Sequence, residues 1–131
     1  MIFKIFVMTF KKFKNINYPV PGLDTAIQIL RPGAKYELSS SADVNFIQWI
    51  DEENREPPTS EEIGIEILRE KKIYDYYKYE REREKQYPDL KEQLDNLYHD
   101  IKNNNLIDGE WIKSIDKVKL DNPKPNTPPP K

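Results

Sequence analysis

Cysteine, histidine and glycine are scarce in this chain of 131 residues, which contains no cysteine, one histidine and four glycines. A chain without cysteine forms no disulfide, no thiolate zinc site and no cysteine nucleophile. A single histidine and few glycines also argue against histidine-rich metal sites and glycine-rich phosphate loops. The composition therefore predicts a protein that is not an enzyme and that uses no cofactor or metal ion.

A surplus of positive charge is also missing. Lys and Arg total 21 against 23 Asp and Glu, which gives a formal net charge of −2. Proteins that bind DNA mainly by neutralising phosphates carry a basic surplus, so nucleic acid is not the expected partner. Only 37% of the residues are hydrophobic, and 11% are aromatic. This composition predicts a thin, aromatic core that leaves surface to be buried against a partner subunit.

Long hydrophobic runs are missing as well, and the most apolar stretch is residues 1–14 (MIFKIFVMTFKKFK). A bilayer takes about 20 apolar residues, so this stretch predicts no membrane span, and it lacks the basic start and cleavage site of a signal peptide. Alternation in residues 3–7 suits a strand, whereas four phenylalanines recur at helical spacing: Phe3, Phe6, Phe10 and Phe13. Three interpretations of residues 1–17 stay open: a core strand or docking helix, an extension upstream of a start at Met8, or an aromatic arm that grips a neighbouring subunit.

Residues 18–56 carry the pattern of a short helix followed by a β-hairpin. Apolar residues at i, i+3, i+4 and i+7 predict a helix that ends at residues 31–33 (RPG): Leu23, Ala26, Ile27 and Leu30. Strands are predicted at residues 36–38 and 44–50, with a polar turn between them. Because an isolated hairpin is marginally stable in water, we expect it to pack on this helix or to pair with residues 1–14.

Residues 57–120 are predicted to be helical. Thr59 followed by Glu62 is a capping box, and it predicts the start of a long helix over residues 60–86. Beyond Tyr79 the charges alternate in i, i+3 pairs and leave no apolar face, which is typical of a solvated helix or a spacer. Pro88 ends this helix, because a residue before proline is pushed out of the helical region.

Two shorter helices and a tail complete the chain. The first helix carries an apolar stripe: Leu90, Leu94, Leu97, Tyr98 and Ile101. The second helix, capped by Asp108 and Gly109, carries another: Trp111, Ile112, Ile115 and Val118. We expect the stripes to face each other in a helical hairpin. Residues 121–131 are a proline-rich tail that either docks in an aromatic groove or forms a loose terminus. The prediction is an α+β fold: a helix-plus-hairpin unit, a long helix and a C-terminal helical hairpin.

Two features could carry chemistry. His99 precedes Asp100, but neighbours in a helix point about 100° apart, so they do not form a dyad and a surface histidine is expected. Residues 74–81 (YDYYKYER) interleave aromatic and basic residues, a pattern found where proteins stack single-stranded nucleic acid. Asp75 and Glu80 interrupt that positive field, which favours tyrosines in a core or an interface.

The order of motifs resembles that of the small tail-region proteins of tailed bacteriophages, of the XkdW-like type. In those proteins a short helix, a hairpin that ends near a tryptophan and a proline-threonine helix start follow one another. The segments that carry this resemblance are residues 26–34 (AIQILRPGA), 46–49 (FIQW) and 57–63 (PPTSEEI).

A second block resembles the ending of small virion and tail-fibre-associated proteins of marine and cyanobacterial phages. It comprises residues 87–101 (YPDLKEQLDNLYHDI) followed by residues 111–119 (WIKSIDKVK). Together the two resemblances cover residues 23–119, so they leave out residues 1–14 and the tail.

The resemblance implies a non-enzymatic virion component, such as a tail, baseplate or fibre-attachment subunit. Such a protein would contact other phage structural proteins and copies of itself, in the tail region of the virion or in the host cytoplasm during assembly. The alternative is a tail-fibre assembly chaperone that is absent from the mature virion. Because aromatic residues dominate interface hot spots, the candidate interface residues are Phe3, Phe6, Phe10, Tyr74, Tyr77, Tyr98 and Trp111.

Overall fold

The computed structural model describes residues 19–39 and 44–131, and within them the chain has the predicted α+β fold. The elements are α1 (Leu23–Leu30), β1 (Lys35–Leu38), β2 (Phe46–Ile50), α2 (Ser60–Tyr76), α3 (Lys78–Gln86), α4 (Leu90–Lys102) and α5 (Glu110–Asp121). The predicted N-terminal arm, with Phe3, Phe6 and Phe10, lies outside the described residues. The chain divides into two compact units, one from the described residues up to Asp75 with Pro129–Lys131, the other from Tyr76–Pro128.

The hairpin of the first unit is antiparallel and contains a β-bulge. Tyr36 lies opposite Trp49, but Leu38 lies opposite Phe46, so Ile47 is the extra residue of β2. The bulge places Phe46 and Trp49 on the same side of the hairpin. Their ring centroids lie 5.8 and 6.1 Å from that of Tyr36. Ile47 consequently points away from this aromatic face and is 64% exposed.

The core of the first unit is small. Ala26 and Ile27 of α1 are fully buried together with Ile63 of α2. Partly buried residues complete the cluster: Leu23, Leu30, Tyr36, Leu38, Val44, Phe46, Trp49 and Ile67. The aromatic face of the hairpin therefore packs against buried residues of α1, as predicted, and also of α2.

Arg55 fixes the segment between β2 and α2. Its guanidinium donates to Asp51 Oδ1 at 2.7 Å, to Asp51 Oδ2 at 2.8 Å and to the Pro32 carbonyl at 2.7 Å. The Arg55 carbonyl accepts a hydrogen bond from Trp49 Nε1 at 2.9 Å. Arg31 in turn donates to the Glu56 carbonyl at 2.8 Å. The segment is thus tied to the turn that follows α1.

Acid is expected to weaken the first unit through Asp51. Hydrogen bonds from the Arg55 side chain lower the pKa of Asp51 from 3.8 to about 2. Because the folded-state pKa lies below the unfolded value, this stabilisation is present above pH 3.8 and is lost as the pH falls through about 2. Urea denaturation read by Trp49 fluorescence should show this loss across that window. Asp51→Asn should remove this part of the pH dependence, and an unchanged pH dependence in the variant would contradict the assignment.

The capping box predicted for α2 is present. The Thr59 N–H donates to Glu62 Oε2 at 2.8 Å, and the Glu62 N–H donates to Thr59 Oγ1 at 3.1 Å. These reciprocal bonds satisfy donors that a helix start leaves without an intrahelical partner.

The buried stripe of α2 is half acidic. Ile63, Glu66, Ile67 and Glu70 recur at i, i+3, i+4 and i+7, and both glutamates are buried. Arg69 Nε donates to the two carboxylate oxygens of Glu66, each at 3.0 Å. Burial, and then the charge of Glu66, raises the pKa of Glu70. The ionised form of Glu70 therefore opposes folding. In contrast to the two buried glutamates, the apolar residues Ile65 and Leu68 of the same helix face solvent.

The prediction of one continuous helix over residues 60–86 is wrong. α2 ends at Tyr76 and α3 begins at Lys78, because Tyr77 adopts φ −83° and ψ 9°. The ring of Tyr76 packs edge-to-face on those of Tyr77 and Tyr79, with centroids 4.9 and 6.0 Å away. In a regular helix adjacent side chains diverge by about 100°, which does not favour this cluster of rings.

α3 is anchored to the end of α5 within the second unit. Arg83 Nε donates to the Asn122 carbonyl at 2.8 Å, and its Nη2 donates to the Lys119 carbonyl at 3.3 Å. A cation at a helix C-terminus is favourable, because the last carbonyls there carry negative partial charge. Lys85 pairs with Glu82 at 3.1 Å, as the charge pattern predicts. Within residues 19–39 and 44–131, no helix has the length and apolar character needed to span a membrane.

Candidate interaction surface

α4 and α5 form the predicted helical hairpin, and a carboxylate of α4 caps α5. Asp100 Oδ1 accepts a hydrogen bond from the Glu110 N–H at 3.2 Å, and Oδ2 accepts one from the Trp111 N–H at 2.9 Å. A carboxylate is stabilising there, because a helix N-terminus presents free N–H groups and positive partial charge. Gly109 is the N-cap residue, as predicted. Asp108 makes no capping hydrogen bond, so the prediction that it helps to cap α5 is wrong.

Position 109 requires glycine because there is no room for a side chain. A Cβ atom at this position would overlap the carboxylate of Asp100 and the carbonyl oxygen of Asn105. Its φ of −76° suits any residue, so the close approach alone requires glycine. The Asn105 N–H donates to the Asp100 carbonyl at 2.8 Å, which closes the connection between the helices.

Polar residues of α4 make hydrogen bonds to α5. Trp111 Nε1 donates to Gln93 Oε1 at 3.4 Å, and Gln93 Nε2 donates to the Pro88 carbonyl at 2.7 Å. Gln93 and Asp100 lie seven residues apart, on one face of the helix, with the partly buried Leu97 between them. The prediction that the two apolar stripes face each other is therefore wrong for most of α4.

The apolar residues of α4 instead form an exposed stripe. We call it the α4 stripe, and it consists of Leu90, Leu94, Tyr98 and Ile101, which are 54–66% exposed. Their spacing of i, i+4, i+8 and i+11 places them within about 80° of one another around the helix. Lys91 and Lys102 lie along one edge of the stripe, about 20° apart around the helix axis. Exposed apolar patches bounded by polar residues are typical of protein interaction sites.

Further apolar side chains are exposed where α4 leads into α5. Ile107 is 83% exposed in this connection, and Leu106 is also exposed. They follow Ile101, the last residue of the α4 stripe, by five and six positions. The hairpin thus presents apolar residues from its first helix and from its connecting segment.

The predicted interface residues have different environments. Phe3, Phe6 and Phe10 lie outside the described residues. Tyr74, Tyr77 and Trp111 are partly buried, whereas Tyr98 is exposed within the α4 stripe. The Tyr98 ring lies 5.4 Å from that of His99, and Lys102 Nζ lies 5.9 Å from its centroid. Participation of these residues in an interface stays a prediction.

His99 is on the surface, as expected from the sequence. Its Nε2 lies 3.6 Å from Asp95 Oδ2, one helical turn earlier, rather than against its neighbour Asp100. Both side chains are exposed, so the pair is a weak surface contact.

Tyr79 of the tyrosine-rich segment, and Arg83 just after it, make polar contacts within the second unit. Burial, followed by a hydrogen bond to Glu80, raises the pKa of Tyr79 to about 12. The Tyr79 hydroxyl donates to Glu80 Oε1 at 2.8 Å, and the Arg83 guanidinium lies 4.9 Å from the centre of the Tyr79 ring. Because Arg83 also binds the end of α5, it is held within the second unit.

The apolar pattern predicts Leu90, Leu94 and Ile101 in hairpin packing and makes no prediction for Leu106 and Ile107. The apolar pattern was visible, but it does not say which face of a helix meets its neighbour. One signal was available: α4 carries five apolar residues over about 100° of its circumference, more than one short partner helix covers.

Within the part of the chain that the structure describes, no three His, Asp or Glu side chains are grouped so that they could hold a metal ion. Comparisons with protein-family models, with curated proteins and with solved structures returned no match.

Proposed function

We propose that this protein is a non-enzymatic structural subunit of a tailed-phage particle, in the tail, baseplate or fibre-attachment region, and that it acts through protein–protein contacts. The observation that carries the proposal is the exposed α4 stripe, because other residues of α4, Gln93 and Asp100, make the hydrogen bonds to α5. The phage assignment itself is supported by the sequence resemblance across residues 23–119.

The energetics of the α4 stripe favour a partner held at several points. Burying the exposed part of four such side chains gains roughly 4 kcal/mol, at about 1 kcal/mol each. Association costs about 4–15 kcal/mol of lost translational and rotational freedom. The stripe alone therefore does not hold a partner firmly, and further contacts of the same subunit must contribute. Such multiple contacts are typical of subunits repeated around a symmetry axis.

Quantitative mass spectrometry of purified phage particles tests this function. We expect the protein in washed particles at a fixed copy number, set by the rotational symmetry of the part that it belongs to. Its presence in infected cells together with its absence from particles would overturn the proposal and favour the tail-fibre assembly chaperone.

A matched pair of variants links the function to the α4 stripe. Leu94→Glu places a charge within the stripe and should lower incorporation into particles. Leu120→Glu is the control, since Leu120 is 81% exposed on α5 and lies about 200° around that helix from the buried Val118. Equal incorporation of the two variants would contradict the role given to the stripe.

A further inference from the structure

We infer that the α4 stripe docks on the α4 stripe of a second copy of this chain, in an antiparallel and staggered register. The inference rests on the proposed function, since it names the partner that the contact surface of a structural subunit meets. In the single chain all four stripe residues are more than half exposed. The charges along one edge of the stripe, and the apolar residues beyond its end, point to a second copy as the occupant.

One edge of the α4 stripe carries a carboxylate between two lysines. Lys91, Asp95 and Lys102 lie within about 40° of one another around the helix axis. The side chain of Asp95 is 72% exposed. Lys102 is exposed as well, and its Nζ lies 5.9 Å from the centre of the Tyr98 ring. When two copies of a helix pack antiparallel about a two-fold axis, this edge of one copy faces the same edge of the other.

Charge excludes the register that matches the two stripes end to end. With Leu90 of one copy against Ile101 of the other, Lys91 of each copy lies close to Lys102 of the other. Like charges placed opposite each other are unfavourable. If one helix slides along the other by about six residues, or about 9 Å, Asp95 of each copy instead faces Lys102 of the other. Opposite charges therefore meet at two places, and they fix the staggered register.

The staggered register also matches the apolar residues of the stripe. Its two-fold axis passes next to Tyr98, so the Tyr98 side chains of the two copies meet at the centre of the interface. Leu94 of each copy lies within about 3 Å, measured along the helix axis, of Ile101 of the other. Tyrosines that are buried near the centre of an interface commonly contribute much of its binding energy.

The stagger also brings Leu90 to further apolar residues. Leu90 reaches about 7 Å beyond Lys102 of the other copy, to the level of the segment that connects α4 with α5. Leu106 and Ile107 of that segment are 47% and 83% exposed. One stripe alone does not hold a partner firmly, but in this pairing each stripe covers the other and the connecting segments add apolar surface. The interface is isologous, so it closes with two copies.

Cysteine cross-linking tests the register in the full-length protein, which contains no native cysteine. Tyr98→Cys alone should form a disulfide-linked dimer on mild oxidation, because two copies of position 98 lie close together at the two-fold axis. Leu94→Cys and Ile101→Cys, prepared with different affinity tags and then mixed, should link to each other. This second pair keeps the test independent of the loss of Tyr98. Leu120→Cys, on α5, is the control and should remain unlinked.

An exchange of charges tests the pairing without cross-links, with light scattering over a dilution series as the measurement. Asp95→Lys and Lys102→Asp should each raise the dissociation constant of the dimer about tenfold or more, because each places like charges opposite each other at two places. The double variant restores both pairs, so its dissociation constant should lie within about threefold of the wild-type value. Glu92→Lys makes the same change of charge on the opposite side of α4 and should leave the dissociation constant unchanged.

Three results would overturn the inference. The first is a wild-type protein that stays monomeric while the cysteine variants give no cross-link. The second is a link between Leu90→Cys and Ile101→Cys in place of the expected links, since it would show the end-to-end register. The third is a double charge variant that does not recover the association lost in the single variants.

The two proposals fail separately. Protein that is present in particles at a fixed copy number, but gives no dimer and no cross-link, would leave the proposed function intact and remove the pairing of the stripes. A cross-linked dimer that is absent from particles would keep the pairing and remove the virion function.

Discussion

Gly109→Ala, which adds a single methyl group, is expected to lower the free energy of unfolding of the second unit by about 3 kcal/mol. This value is at the upper end of what overpacking costs. The added Cβ would overlap the carboxylate that caps α5 and the carbonyl oxygen of Asn105. Both groups are held in place, the first by the N–H groups of Glu110 and Trp111 and the second by the closed connection. Relief of the overlap therefore moves the cap away from the helix that it stabilises.

Gly64→Ala is the matched control, and its expected change in the free energy of unfolding has the opposite sign. Gly64 lies inside α2, and a Cβ atom added there would meet no atom within 4 Å, so alanine should stabilise that helix by about 1 kcal/mol. Each unit contains one tryptophan, Trp49 in the first and Trp111 in the second. Urea denaturation read by Trp111 fluorescence in a Trp49→Phe background therefore measures the second unit, which Gly109→Ala perturbs. Trp49 fluorescence in a Trp111→Phe background measures the first unit, which contains Gly64.

A double-mutant cycle identifies the cause of the Gly109→Ala effect. Asp100→Ala alone should cost about 1–2 kcal/mol, the range for a lost N-terminal cap. The double variant should cost less than the sum of the single variants, because the largest overlap disappears with the carboxylate. Additive effects would mean that Gly109 and Asp100 act independently, which contradicts the geometry.

Local signals in the sequence predicted much of the first unit. The spacing of apolar residues in α1, the turn after it and the capping box at Thr59 each involve residues a few positions apart, and each is present. The bulge at Ile47 was not predictable in this way, because it depends on which residues of β1 lie opposite β2. The same holds for the buried glutamates of α2, whose burial depends on what packs against them.

The second unit was less predictable because its determining contacts span ten residues or more. The cap of α5 comes from Asp100, ten residues before Glu110, and no rule for adjacent residues would select it over Asp108. Arg83 binds carbonyls 36 and 39 residues away, although its position in an alternating charge run suggested a solvated helix. The α4 stripe followed from periodicity, but its exposure follows only from the contacts of Gln93 and Asp100 with α5.

Ile27→Ala is the second substitution with a large expected effect. It should lower the free energy of unfolding of the first unit by about 3 kcal/mol. Ile27 is fully buried between the hairpin and α2, and Ile→Ala changes in such positions cost about 2–5 kcal/mol, because they lose transfer energy and leave a cavity. Among the described residues, Ala26 and Ile63 share the fully buried cluster with Ile27, and the side chains around them are partly buried.

The loss of stability in Ile27→Ala is large relative to the total stability of the first unit, because the core of this unit is small. Single cores in units of fewer than about 70–80 residues rarely supply more than about 3–5 kcal/mol. Ile27→Ala should therefore leave a large fraction of the first unit unfolded at 25 °C, which Trp49 fluorescence would report in the Trp111→Phe background. Ile47→Ala is the control, because this bulge residue faces solvent and its truncation should change stability by less than about 0.5 kcal/mol. Similar losses in the two variants would mean that the buried Ile27 contributes no more to stability than a solvent-facing residue, which contradicts its place in the core.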